Sequence, residues 1–234
     1  MGTSAILLDI EGTTTPIDFV YEVLFPYARA RVKDFLARHE SSEEVRADIV
    51  DLRHEYSSDL GGCLKPPPID EGSIVAYVHW LMDQDRKVTP LKSLQGKIWE
   101  EGFQRGELRG QVFDDVPRAF ARWREQNKDI CIYSSGSRLA QQLLFANTEA
   151  GDLTDFIREY FDTNIGAKGD PQSYHRIASA LELSPPEILF ISDVIAELNA
   201  ARDAGIETLL SVRPGNPPQP GREAHRVIHT FDEV

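Results

Sequence analysis

The segment Ser4-Ala5-Ile6-Leu7-Leu8-Asp9-Ile10-Glu11-Gly12-Thr13-Thr14-Thr15 decides how the rest of the chain is read. Its first five residues form an apolar run of the length of a buried strand. An acid, a second acid two positions on, a glycine and three hydroxyls follow at once. Residues i and i+2 of a strand point to the same side, so Asp9 and Glu11 are expected to aim at one place just beyond the strand's carboxyl end. Open α/β sheets hold their ligands there. The glycine and the threonines supply a tight turn and donors for an anion. A carboxylate so placed can be the covalent nucleophile of a phosphoryl transfer, forming an aspartyl-phosphate. A plain turn or a helix cap uses the same residue types, so the later segments have to arbitrate.

Outward from this string the chain reads as an α/β core interrupted by a helical insert. After Pro16 come roughly ninety residues without a convincing strand. Residues 19–39 are helical in pattern, with Val20, Val23, Leu24, Ala28, Val32, Phe35 and Leu36 near one face and Pro26 expected to kink or delay the helix. Residues 41–57 open with a cap-like Ser41-Ser42-Glu43-Glu44 and carry Val45, Ile49 and Leu52 on one stripe. Residues 61–72, with Pro66-Pro67-Pro68, are a loop. Residues 73–85 and 91–104 are helical again. From about Gly110 the pattern alternates. Helices are expected over 115–126, 137–147, 171–183 and 195–204. Strands are expected over 129–133, 188–192 and 207–212, with a weak strand at 160–162 and an edge strand at 227–231. Such alternation argues a parallel, Rossmann-like sheet with right-handed crossovers. Residues 213–221, rich in Pro and Gly, read as an exposed connection.

Three further segments end or follow core elements with chemistry-bearing residues. In Ile130-Cys131-Ile132-Tyr133-Ser134-Ser135-Gly136-Ser137 an apolar strand ends in hydroxyls, and the following helix start can hold a phosphate oxygen. Ordinary capping by Ser135 or Ser137 is the plain alternative. Lys168, between small residues and before the Pro171 helix start, can reach into a cleft or stay in solvent. Ile188-Leu189-Phe190-Ile191-Ser192-Asp193 is a second apolar strand ending in an acid. Asp9 and Asp193 together can hold one hard cation, because Mg²⁺ takes one or two carboxylates plus waters and substrate phosphate. Glu197, one turn after Asp193, reads as a surface or packing residue of its helix.

Taken in order, these segments resemble the haloacid-dehalogenase-like hydrolase superfamily over residues 4–15 and 110–212, and the helical insert resembles its cap domain. The resemblance implies a core of residues 1–15 and 110–234 and a cap of residues 16–109. Closer strings are Leu8-Asp9-Ile10-Glu11-Gly12-Thr13-Thr14, with Glu where most superfamily phosphatases carry a second Asp, Tyr133-Ser134-Ser135-Gly136-Ser137, Phe161-Asp162-Thr163-Asn164-Ile165-Gly166, Lys168, and Val212-Arg213-Pro214-Gly215-Asn216. These look like the acireductone synthases, the enolase-phosphatases of methionine salvage. That resemblance implies a 2,3-diketo-5-methylthiopentyl 1-phosphate substrate, enolised and then dephosphorylated to 1,2-dihydroxy-3-keto-5-methylthiopentene. It implies Asp9 as nucleophile and Glu11 as acid-base group. Ser134, Ser135 and Lys168 would bind the phosphate. One Mg²⁺ per subunit would sit on Asp9, Asp193 and Glu11, the last through its backbone carbonyl.

Composition bounds the alternatives. The 234 residues carry a formal net charge of -13, which argues against nucleic acid and anionic membranes as partners. It also repels small phosphorylated substrates at long range, so a site for one must supply local positive charge. No apolar stretch has the length of a membrane span. The start lacks a signal core, and two cysteines without metal-ligand neighbours suggest a reducing, cytoplasmic setting. The absence of heptads and the need for cap motion suggest a monomer. Three other readings stay open: a superfamily phosphatase for a different small ester, a dehalogenase using the same aspartate, and a catalytically silent binding protein.

Overall fold

Six parallel strands carry the first half of the architecture: β1 (Ala5–Leu8), β2 (Asp129–Tyr133), β3 (Ile157–Phe161), β4 (Ile188–Ser192), β5 (Glu207–Ser211) and β6 (Arg226–Ile228), in the order β3-β2-β1-β4-β5-β6. The computed structural model describes residues 2–69, 73–219, 221 and 224–234. Its contacts divide the chain into two units, Met1–Val20 with Arg109–Val234, and Tyr21–Leu108.

In the first unit, β1 and β4 are buried at every position. This is why their sequences run apolar without alternation, as strands covered on both faces do. Helices α5 (Asp115–Glu125), α6 (Arg138–Ala146), α7 (Pro171–Leu181) and α8 (Ile195–Asp203) cover the sheet. One face packs Ala5, Leu7, Cys131, Tyr133 and Phe190 against Tyr174, Ile177 and Leu198 of α7 and α8. On α5 and α6, Phe120 stacks near Trp123 and Phe145. The α/β parallel sheet agrees with the sequence reading. The strand expected at 160–162 starts earlier, at Ile157. Its outward positions Arg158 and Glu159 break the apolar signal because β3 is an edge strand, and they pair with Asp129 and Arg138. At the far edge β6 ends at Ile228, short of the expected 231. There Thr230 caps a 3₁₀ turn, Phe231–Glu233.

The second unit is helical: α1 (Phe25–Arg38), α2 (Glu43–Asp59), α3 (Val75–Asp83) and α4 (Thr89–Gln104). A π-helical turn, Phe19–Leu24, precedes α1, and Pro26, which has no amide to donate, sits in the first turn of α1. The wider turn disturbs the 3.6-residue face drawn from sequence. Val20, Leu24, Ala28, Val32 and Phe35 are buried, but Val23 is 37% exposed. Ser42, one residue later than the start of the expected cap, accepts from the Val45 amide and caps α2. Val45 and Leu52 are buried, with Ile49 only half-buried. The last three residues of the 61–72 loop lie outside the described residues.

Candidate active site

The sheet order places the site. From β1 the chain builds outward to β2 and β3, then crosses back to set β4 on the other side of β1. This reversal opens a crevice at the carboxyl ends, the ligand position of open α/β sheets. Asp9, Ser134 and Asp193 are each the first residue beyond β1, β2 and β4, three adjacent strands. All three are buried, at 4%, 4% and 6% exposure.

The loop after β1 winds tightly. The Ile10 carbonyl accepts from the amides of Thr13, Thr14 and Thr15, and the Gly12 amide donates to the Thr15 carbonyl. Gly12 has φ +68, and a Cβ there would lie 2.6 Å from Asp193 Oδ2, so both its backbone and the neighbouring carboxylate require glycine. The extended i, i+2 argument for Glu11 does not survive as geometry. β1 closes at Leu8, the chain bends at Ile10, and the turn sets the direction of Glu11, which is half-buried. The hydroxyl oxygens of Thr13 and Thr15 are buried without partners.

Lys168 is not a solvated loop residue. Its Nζ lies 2.7 Å from Asp9 Oδ1 and 2.7 Å from Glu197 Oε2, with its side chain 10% exposed. Its loop is held from below. The Tyr133 hydroxyl donates to the Gly166 carbonyl, Ser173 to Ala167 and Tyr174 to Lys168. Gly166 leaves room for that clamp, since a Cβ there would sit 2.1 Å from Ser173 Oγ. Glu197, read from sequence as a surface or packing residue, is instead part of the cluster. The single Ser192 hydroxyl lies 2.9 Å from its Oε2 and 3.3 Å from Asp9 Oδ2. The signal for Glu197 was its one-turn spacing from Asp193 on α8.

Charge sharpens this picture. Burial, then the charges of Asp9 and Glu197, push the Asp193 carboxyl up to about 7, against the pull of Lys168. Burial and Asp9 raise Glu197 as well, with Lys168 opposing. Burial works against the Lys168 ammonium, but Asp9 and Glu197 outweigh it and hold the lysine above its ordinary range. Three carboxylates, those of buried Asp9 and Asp193 and of half-buried Glu197, thus gather near the one ammonium of Lys168. A divalent cation would balance this cluster. Among the described residues no group of three or more His, Cys, Asp or Glu side chains forms a metal cage. Asp9 and Asp193 are the two-carboxylate set that suits Mg²⁺, which keeps waters and takes phosphate oxygens.

Beyond β2, Ser134 Oγ accepts from the Gly136 amide, while Ser137 accepts from Ala140 and caps α6. The Ser134 hydroxyl hydrogen stays available to a ligand. Gln141, buried on α6, donates to the Gly136 and Phe161 carbonyls and steadies this turn.

The reading of 213–221 as an exposed connection holds at Pro214, Gly215, Pro217, Pro218 and Gly221 and fails at Arg213 and Asn216, while Pro220 lies outside the described residues. Arg213 is 5% exposed, not a free connection. It sits 2.8 Å from Asp115 Oδ2, donates through Nε to the Thr13 carbonyl and lies between the rings of Phe113 and Phe231. Asn216 donates to the Gly12 carbonyl. Neither residue announces this role locally, because each reaches a loop some 200 positions away in the chain.

Fold and site together define a hydrolase of the haloacid-dehalogenase-like class, and the family model described as haloacid dehalogenase-like hydrolase matches residues 3–205. The chain is 52% identical over 233 residues to an enolase-phosphatase E1 of Synechococcus elongatus, covering 99% of this chain and 97% of that one. An enolase-phosphatase E1 of Drosophila pseudoobscura pseudoobscura is 48% identical over 219 residues, covering 91% and 86%. The crystal structure of the UTR4 protein of Saccharomyces cerevisiae matches with TM-score 0.80 and 33% identity over 100% of both chains. The chain therefore belongs to the enolase-phosphatase E1 family and is a phosphatase of that family.

Proposed function

We propose that the protein is the acireductone synthase of methionine salvage. It enolises 2,3-diketo-5-methylthiopentyl 1-phosphate and then hydrolyses the phosphate, releasing 1,2-dihydroxy-3-keto-5-methylthiopentene. The observation that carries this is the Asp9 carboxylate at the carboxyl end of the central strand, 2.7 Å from Lys168, in a chain 52% identical to an enolase-phosphatase E1.

Asp9 attacks phosphorus and becomes the aspartyl-phosphate. Lys168 sets a positive charge beside the phosphoryl oxygens. Ser134, with Ser135, holds the phosphate from the β2 side. Glu11 protonates the leaving oxygen and then takes a proton from the hydrolytic water. Its extra methylene over Asp lets the same carboxyl serve enolisation. Asp9, Asp193 and the Glu11 carbonyl would hold Mg²⁺. Bound there, the cation would neutralise charge developing on the phosphoryl group. Residues 16–109 serve as the cap that excludes water during turnover. A cytoplasmic monomer completes this reading. The exposed free thiol of Cys63 supports a reducing compartment. Among the described residues no helix is long and apolar enough to cross a membrane.

The test follows the enediol absorbance and inorganic phosphate separately on the diketo phosphate, with Mg²⁺ and with a chelator. An enol signal ahead of phosphate, silenced by the chelator and restored by Mg²⁺, is expected. Phosphate without an enol intermediate, or turnover only of other esters, overturns the substrate assignment. Full rate in chelator removes the cation.

A further inference from the structure

Asn216 carries one atom that the fold leaves without a partner. It follows Arg213-Pro214-Gly215 beyond β5, and its Nδ2 lies 2.9 Å from the Gly12 carbonyl and 3.4 Å from that of Ser211. Two carbonyls on one side fix the amide's orientation, because only the nitrogen end can donate to them. Oδ1 therefore faces the other way. There it is closed off from solvent and accepts from no donor. It borders the same small space as the Asp193 carboxylate: Asn216 Oδ1 and Asp193 Oδ2 lie 2.8 and 2.6 Å from the point a Cβ on Gly12 would occupy.

Two acceptor oxygens that border one closed space repel unless a donor comes between them, and folded proteins leave few buried polar groups unmatched. Asn216 and Gly12 supply none on this side, since Nδ2 is spent on the carbonyls and glycine has no side chain. A water bound to a divalent cation is a polarised donor that can serve such an oxygen.

On the cation reading given above, we infer that Asn216 is a positioning residue for the metal. Its Oδ1 accepts a hydrogen bond from a water that the cation carries. Its Nδ2 holds the Gly12 carbonyl in the loop that presents Asp9 and Glu11. The residue touches neither phosphorus nor the reacting carbon.

Mg²⁺ affinity of the substrate-free, full-length protein tests this directly. Mg²⁺ is titrated calorimetrically into wild type and Asn216→Ala, with melting in chelator as the check on folding. Loss of an outer acceptor changes metal affinity by about 10- to 100-fold, so Kd is expected to rise at least about tenfold while Tm in chelator is retained. A Kd within about twofold of wild type overturns the inference, whatever happens to turnover. Asn216→Asp keeps an oxygen toward Asp193 but gives up the donor to the Gly12 carbonyl, so its Kd is expected to rise by less than about tenfold. A larger rise there also overturns the inference, and this variant decides the matter if the alanine protein does not fold. Wild type that takes up no Mg²⁺ instead removes the cation reading itself. A variant that equals a metal-binding wild type removes only the role of Asn216.

Discussion

Asp9 is gripped at both oxygens. The Ile10 amide and Lys168 hold Oδ1 at 2.7 Å each, and the Ser192 hydroxyl lies 3.3 Å from Oδ2. Such a grip spends orientation entropy before the substrate arrives. Asp9→Asn keeps the shape but removes the charge and turns an amide toward groups that themselves donate. Phosphate release is expected to fall by about three orders of magnitude or more, with the far-ultraviolet circular dichroism spectrum unchanged. Normal release in that variant would sink the nucleophile assignment. At this scale the sequence was legible wherever a residue ends a strand. Asp9, Ser134 and Asp193 all stand at such ends, and their neighbours in the chain are enough to place them. Glu197 offered only its one-turn spacing from Asp193, too weak a signal to set it in the cluster. A glutamate on a helix is exposed far more often than not, and only the fold brings Lys168 to it.

Between elements, Arg213 ties the end of β5 to the loop after β1, to the start of α5 through Asp115 and to the C-terminal 3₁₀ turn through the Phe231 ring. Burial alone would raise the Asp115 carboxyl, but Arg213 and the Phe231 amide outweigh it and hold it below the ordinary carboxylate range. Removing one partner of a buried pair leaves an uncompensated charge. Arg213→Met is therefore expected to cost about 3–5 kcal/mol in urea unfolding. A loss under about 1 kcal/mol would mean that the pair contributes little. In the helical unit, Glu101 of α4 meets Arg38 of α1, His39 and Arg105. The Arg38 hydrogen bond leads in lowering its carboxyl to about 2, against burial. The sign follows from this lowering. The stabilisation is fully present above the ordinary carboxylate range, near pH 5, and is lost as pH falls through about 2. Glu101→Gln is expected to unfold at lower urea than wild type near neutral pH, by about 1 kcal/mol or less because the partners are partly exposed. The gap should close progressively below pH 5. An unchanged gap across that range would exclude the carboxylate as its source.

Over the whole molecule, a formal charge of -13 surrounds a site whose described cation is Lys168. Long-range repulsion of an anionic substrate is screened by salt, with a Debye length of about 30 Å at 0.01 M and about 8 Å at 0.15 M. kcat/KM for the phosphorylated substrate is expected to rise over that interval at saturating Mg²⁺. A fall would show that the local field of the site dominates the approach. The sequence alone determined the parallel α/β class, the helical insert and the strand-end acids. Periodicity, strand length and the residue after a strand are local properties, written within a few positions of one another. Only the tertiary structure decided that Glu197 joins Lys168, that Arg213 is buried against Asp115, and that Asn216 reaches Gly12 across 204 positions of chain. Those contacts depend on which strands lie side by side and in what register. No local pattern encodes that order, because it is chosen by packing the whole sheet at once.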